Sequence, residues 1–393
     1  MKKFTNPPLL LLLFVATNVS AQFAKVPVKL TENGHLLLQV QINDSKENHI
    51  FLFDTGASQG VIDKSVAKKM GLNVVSQQKV PGVGGVQTYD ILSEQELNLS
   101  DYLFLSYDYM VSADLSRFHE LLDDRYDGIL GFTLLWEFIT KIDYEKQELV
   151  LYEKINEVNL EGYQVIPFDF HNGIRIPQFD VSFTTTNGEK FKGRILLDTG
   201  AAQTLSVNTP FSKENRLLAK ANKSLQSKSQ GLGTTTFSEE IAIKSIEVGG
   251  FTFDDLPITL TDDKAGVNSY KGYLGILGTD VIKRFDVVLD YQSKKLYLKP
   301  NKFYNDSFEF PLSSIRLKKK NNQIIVDMLS DKSPAYKAGL RQGDIILSMN
   351  GASYDTLLAY KKLLKKEGNS MITKVKTKSG ETKTYTFKLQ RLL

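Results

Sequence analysis

The chain of 393 residues contains no cysteine. Disulfides, a thiolate nucleophile and lipid attachment at a cysteine are therefore excluded. Histidine is scarce. His35, His49, His119 and His171 are far apart and form no His-Glu-x-x-His, which argues against a zinc peptidase. The Gly-rich serine loop that a His/Asp/Ser peptidase requires is also missing. Long apolar runs are absent: Leu9 to Val15 is too short to span a bilayer, and no second run is long enough. What remains is an ordinary globular composition, 41% hydrophobic and 24% charged, with a length that suggests two or three domains.

Lys2 and Lys3, the apolar run and the small residues Val19-Ser20-Ala21 form a signal-peptide pattern, with cleavage expected before Gln22. An exported protein, periplasmic or secreted, is the expectation, with no integral membrane segment after cleavage. The net charge of +4 conceals an asymmetry. From Pro311 onward 17 Lys and Arg stand against 6 Asp and Glu, a net of +11, whereas residues 22–310 carry −9. Lys318 to Lys320 and Lys361 to Lys366 read as a solvated turn and helix face, so no nucleic-acid partner is expected.

The chain repeats itself. Ile50-Phe51-Leu52-Phe53-Asp54-Thr55-Gly56-Ala57 returns as Arg194-Ile195-Leu196-Leu197-Asp198-Thr199-Gly200-Ala201, 144 residues later. Gly128-Ile129-Leu130-Gly131 returns as Gly275-Ile276-Leu277-Gly278 at an offset of 147, and the match continues through Phe138/Phe285, Asp143/Asp290, Tyr144/Tyr291 and Leu149/Leu296. A lone Asp-Thr-Gly arises by chance; two inside a longer ordered repeat mark a duplication. Most of each copy reads as short strands, such as 36–42, 50–53 and 179–183. Glycine-rich hairpins follow both Asp-Thr-Gly sequences, at Pro81 to Val86 and Gly231 to Thr235. A helix is expected over 114–122, with Leu115, Phe118, Leu121 and Leu122 on one face.

Each aspartate follows an apolar strand and opens a turn. The glycine permits close approach of another chain, and the threonine hydroxyl can tie one loop to the other. A two-fold arrangement would bring Asp54 and Asp198 face to face. Two adjacent carboxylates cannot both ionise cheaply, so they share a proton: one activates water and the other protonates a carbonyl. That pairing is a standard example of the effect in the aspartic proteases. The chemistry needs no metal or organic cofactor. Two other readings stand beside it. Gly56-Ala57-Ser58-Gln59-Gly60 fits the nucleophile elbow of a serine hydrolase, although the second copy has Ala202 where the first has Ser58. A catalytically inactive peptide-binding protein is the other.

The Asp54-Thr55-Gly56-Ala57-Ser58 and Asp198-Thr199-Gly200-Ala201-Ala202 loops resemble those of retropepsin-like and pepsin-like aspartic proteases. Ile129-Leu130-Gly131 and Ile276-Leu277-Gly278 are similar to that family's second signature, and Val83-Gly84-Gly85 to its flap tip. The resemblance implies a mainly β fold with two pseudo-two-fold-related lobes, at 22–156 and 157–303 after a signal peptide at 1–21. It also implies an endopeptidase acting on an extended peptide or unfolded protein. Asp54 and Asp198 would be catalytic, and Thr55, Thr199, Gly56 and Gly200 would brace the loops. Ala57, Ser58, Ala201, Ala202, Val83, Gly84, Gly85 and Gly233 would face substrate. The second hairpin lacks the Gly-Gly pair, so it is expected to be shorter or to differ in role. Alanine follows glycine in both loops where pepsins usually carry a hydroxyl, which implies a less acidic dyad working at mildly acidic to neutral pH.

Residues 308–393 resemble a PDZ domain, an α/β module, through Ser333-Pro334-Ala335 and the run from Ala338-Gly339-Leu340 to Asn350-Gly351. A helix is expected over 354–366 and a hairpin around Ser379-Gly380. The resemblance implies a possible peptide ligand added to a sheet edge, with Pro311 to Ile315 in the place of the carboxylate-binding loop. A tethering, substrate-presenting or regulatory role follows from that expectation.

Overall fold

The computed structural model describes residues 22–393 apart from 101, 122 and 124. The signal-peptide segment and Leu122 lie outside the described residues. Among the described residues no helix is long and apolar enough to cross a membrane.

Each repeat is built around a buried strand that leads to its aspartate. His49–Phe53 and the end of Lys190–Leu197 are almost wholly apolar. That composition suits strands covered on both faces. Each pairs in parallel with the strand of the second repeat motif: Phe51, Leu52 and Phe53 lie beside Gly128, Ile129 and Leu130, and Ile195, Leu196 and Leu197 beside Gly275, Ile276 and Leu277. The first repeat forms a ten-stranded sheet and the second a seven-stranded one.

A third sheet of six strands belongs to both repeats. Ile139–Asp143 and Glu148–Tyr152 form one hairpin, and Phe285–Asp290 and Lys295–Pro300 the other. They meet in the middle: Lys141 pairs with Val288, flanked by Thr140 with Leu289 and Ile142 with Val287. Lys141 and Val288 are separated by the repeat offset of 147. A pseudo-two-fold axis therefore passes through that pair. The outer edges match as well, with Ala24–Pro27 against Glu148–Tyr152 and Gln164–Pro167 against Lys295–Pro300. The architecture is mainly β, as the sequence implies.

The chain then crosses to a C-terminal domain along a pinned path. Arg284 is buried; its guanidinium donates to the carbonyls of Phe303, Tyr304 and Asp306 and lies 3.7 Å from the centre of the Phe308 ring. The domain is a five-stranded antiparallel sheet with its own core, containing Val326, Leu340, Met349, Tyr360 and Val375. Ser333 caps helix Pro334–Ala338 by accepting from Tyr336 N–H. The expected helix over 354–366 is shorter, Leu357–Leu363, because Thr356 caps it by accepting from Ala359 N–H. Leu357, Tyr360 and Leu364 are buried against the domain's core. The hairpin closes as Ser370–Lys376 with Thr382–Lys388.

The helix expected over 114–122 is also cut down, to Ser116–His119. At its end Leu121 N–H turns to Phe118 O, three residues back, so the coil tightens and stops; just past it the carbonyls of Glu120 and Leu121 accept from Lys319 N–H and Lys361 Nζ of the C-terminal domain.

Candidate active site

The two Asp-Thr-Gly loops meet at the axis. Asp54 N–H donates to Leu130 O at 2.9 Å and Asp198 N–H to Leu277 O at 3.0 Å, so each loop is hung on its parallel strand. The loops then bind each other. Thr55 N–H donates to Thr199 Oγ1 at 3.0 Å, and Thr199 N–H to Thr55 Oγ1 at 3.0 Å. Each hydroxyl donates onward across the interface, Thr55 to Leu197 O at 2.8 Å and Thr199 to Phe53 O at 3.4 Å. Both threonines are buried. These reciprocal bonds satisfy donors that would otherwise be stranded inside the protein.

The glycines explain how close the carboxyls come. A methyl added at Gly56 would lie 2.6 Å from Cγ of Asp198, and one at Gly200 would lie 2.6 Å from Cγ of Asp54. Each glycine therefore stands where the opposing carboxyl must pass. Gly56 N–H donates to Asp54 Oδ1 at 2.7 Å and Gly200 N–H to Asp198 Oδ1 at 2.8 Å. Each carboxyl lies against the opposite loop's glycine and so faces its counterpart across the axis. Burial, followed by the charge and hydrogen bond of Asp198, holds Asp54 well above the ordinary carboxylate range. Burial raises Asp198 too, against the pull of the Gly200 and Ala201 N–H groups. The protons belong to the pair, and the second leaves only well above the usual carboxylate pKa.

The glycine-rich hairpins cross over the loops. Val74–Gly82 pairs with Gly85–Leu92, and Leu225–Gln230 with the start of Thr235–Val248. The second is the shorter in paired residues, as the missing Gly-Gly suggests. Their tips touch: Gly233 N–H donates to Val83 O at 3.1 Å, Thr234 Oγ1 to Gly84 O, and Tyr89 Oη to Leu232 O. Gly84 has φ +84°, and any side chain there would strike the Thr234 backbone. Each tip packs on the opposite lobe. Val83 joins Ala201, Ile176 and Tyr273, while Leu232 joins Ala57, Tyr89, Phe118 and Tyr126. Ala57, Ala201 and Ser58 are partly exposed, and Ala202 is exposed. A cavity of about 1060 Å³ between the second lobe and the C-terminal domain reaches Ala202 and Gln203 and is lined opposite by Ser313, Ile315 and Lys361.

Ser58 makes no described hydrogen bond to a histidine. His49 pairs with Asp127, His119 bonds Tyr126 O, and His35 lies against the Gly200 backbone. His171 sits in a short turn whose carbonyl accepts from Gln178. The Pro311 to Ile315 stretch is engaged internally: Leu312 O accepts from Gln390 N–H, and Ser313 Oγ from Ile315 N–H.

Three neighbours of the dyad escaped the sequence reading as site residues. His35 is buried, its Nε2 has no partner, and burial lowers its pKa to about 4. Tyr126 and Tyr291 are buried close enough for the Asp54 charge to raise them further. The matched pair Tyr144/Tyr291 was the one signal in sequence, and it says nothing about proximity to Asp54.

The model for the aspartyl protease family matches residues 38–134 and 181–281, just over half of the chain, and a PDZ domain model matches 326–377. The chain belongs to the aspartyl protease family. It carries two retropepsin-like lobes and a C-terminal PDZ domain. Among solved structures, an aspartic proteinase from Irpex lacteus is similar at 13% identity and a TM-score of 0.46, over 72% of this chain and 98% of that one. Comparison with curated proteins gives no match.

Proposed function

We propose that the chain is an active aspartic endopeptidase in which Asp54 and Asp198 jointly activate a water molecule. One observation carries this reading: two raised carboxyls that face each other, each packed against the opposite loop's glycine and accepting its own loop's glycine N–H. With a single proton between them, the ionised member takes a proton from water while the protonated member donates to the scissile carbonyl oxygen. Water oxygen bonds to the carbonyl carbon. The proton then passes to the amide nitrogen as the C–N bond breaks. Thr55, Thr199, Gly56 and Gly200 hold the geometry, and Ala57, Ser58, Ala201 and Ala202 line the loops beside it.

The meeting hairpins favour an extended peptide as substrate, since they cross over both catalytic loops and bond to each other at their tips. Val83, Gly84, Gly85 and Gly233 would then contact its backbone from above. A dyad raised by burial, without a hydroxyl after either glycine, keeps its shared proton into mildly acidic and neutral conditions. Cleavage of a peptide library by the wild-type chain, with Asp54→Asn and Asp198→Asn alongside, tests the reading. Cuts by wild type alone support it, and identical cuts by all three proteins would refute it.

A further inference from the structure

The outermost strand of the PDZ domain, Ile315–Lys320, forms an edge of its sheet, and helix Leu357–Leu363 lies beside it. The first lobe engages both. Glu120 O accepts from Lys319 N–H at 2.8 Å, so a backbone group on the strand edge is satisfied by main chain. The Glu120 carboxylate lies 3.7 Å from Lys318 Nζ and 3.5 Å from Lys320 Nζ. Leu121 O accepts from Lys361 Nζ on the helix at 3.2 Å. The Asp123 carboxylate accepts from the N–H groups of Leu357 and Leu358 at 2.8 and 2.6 Å. Strand edge, strand lysines and helix are thus contacted in turn by residues close together in sequence.

The same stretch of the first lobe shapes the cleft. Leu121 N–H donates to Phe118 O, and His119 Nε2 bonds Tyr126 O at 2.9 Å. Leu115, Phe118 and Tyr126 pack with Ala57 of the catalytic loop and with Leu232 of the second hairpin tip. The residues held by the PDZ domain, Glu120, Leu121 and Asp123, are thus bracketed in sequence by Phe118 and Tyr126, which pack against the loop beside the dyad.

We propose that the groove between strand Ile315–Lys320 and helix Leu357–Leu363 is a docking site whose resident occupant is the first lobe's own acidic bend, at Glu120, Leu121 and Asp123, and that this docking holds the Phe118–Tyr126 wall of the cleft in its working shape. The ligand class is an acidic-apolar peptide segment. Its backbone meets the strand edge, and its carboxylates meet the lysines and the helix N–H groups. Because the occupant is tethered, it is present at high effective concentration, and a free peptide must compete with it. The charge step at Pro311 then has a use: the basic domain grips an acidic lobe. The consequence for the cleft rests on the peptidase reading; the docking itself does not.

The test measures binding first, in an Asp54→Asn background so that hydrolysis plays no part. The probe is a fluorescein-labelled peptide RFHELLD, copied from residues 117–123. The wild-type groove is occupied and should bind it weakly. The Glu120→Ala/Asp123→Ala chain should bind it about tenfold more tightly, because the competing segment is released. Lys361→Met, altered on the groove side, should weaken binding in the released chain. Equal affinity in the two chains, or no binding to either, would overturn the proposal. A second readout uses cleavage of a short peptide by chains that retain Asp54. Release should raise KM several-fold with kcat and the pH profile nearly unchanged, whereas unchanged KM would remove the link to the wall. If no chain cleaves anything but the affinities differ as stated, the peptidase reading fails and the docking stands.

Discussion

The two lobes present the same loop to the dyad but back it with different material. Behind the second loop, Gly34 O accepts from Thr279 Oγ1 at 3.2 Å, and the buried His35 ring lies against Gly200. At the matching position in the first lobe stands Phe132, with the Arg175 guanidinium 5.1 Å above its ring and Phe170, Trp136 and Tyr291 around it. One aspartate thus has a titratable ring beside its loop, and the other a stack of aromatic rings. A duplicated site keeps its symmetry where two carboxyls must face each other and loses it one layer out, where only shape is required.

The sharpest way to break the comparison is to remove each carboxyl in turn. Asp54→Asn and Asp198→Asn should each lower kcat by about a thousandfold or more. A large difference between them would mean that the lobes do not share the proton. The same substitutions should raise the melting temperature at neutral pH. A carboxyl whose folded pKa lies above its unfolded value loses stability as pH rises from the ordinary carboxylate range through the raised one. Asparagine removes that loss, and the gain should vanish below about pH 4.

His35 works in the opposite direction. Its folded pKa of about 4 lies below the ordinary 6.5, so the unfolded chain binds the proton first. Stability should fall as pH drops from about 6.5 to about 4, by roughly 3 kcal/mol if the full shift is expressed. Urea melts across that range should show the slope in wild type and a flatter one in His35→Gln. Arg175→Ala, on the exposed segment that backs the first loop, should change stability by less than about 0.5 kcal/mol at any pH.

The threonines offer a finer comparison. Thr55→Val and Thr199→Val should each cost about 1–3 kcal/mol, since each removes an outgoing bond and strands the partner's N–H. Thr55 should cost more, because its hydroxyl reaches Leu197 O at 2.8 Å while that of Thr199 reaches Phe53 O at 3.4 Å. Equal losses measured by denaturant unfolding would show that this difference in length carries no energy.

The parts legible in sequence were those fixed by local chemistry and repeated. Asp-Thr-Gly after an apolar strand, Gly-Ile-Leu-Gly before a short helix, and Asn350-Gly351 as a tight turn all read directly. Asn350 and Gly351 do take positive φ, 51° and 81°. Contacts between distant segments outside the repeated motifs were not legible. Nothing near His35 announces Gly200, because burial of that ring depends on how the two repeats pack. The helix expected over 114–122 failed for a related reason. Its apolar spacing was real, but the chain tightens where Leu121 N–H bonds Phe118 O and turns there to meet a domain more than 190 residues away. The touching of the two hairpin tips was likewise invisible, since neither tip carries a residue type that demands a partner.

The central sheet has a consequence for dissecting the chain. Lys141 and Val288 pair across the axis, so each half ends its own hairpin on an edge complementary to its counterpart. Severed between Tyr152 and Gln164, the amino-terminal portion would expose Ile139–Asp143 to any matching strand, including that of a second identical copy. Such a fragment would tend to self-associate into a dimer with two Asp54 side chains at its centre. What is now a single polypeptide would be rebuilt as an assembly of equals.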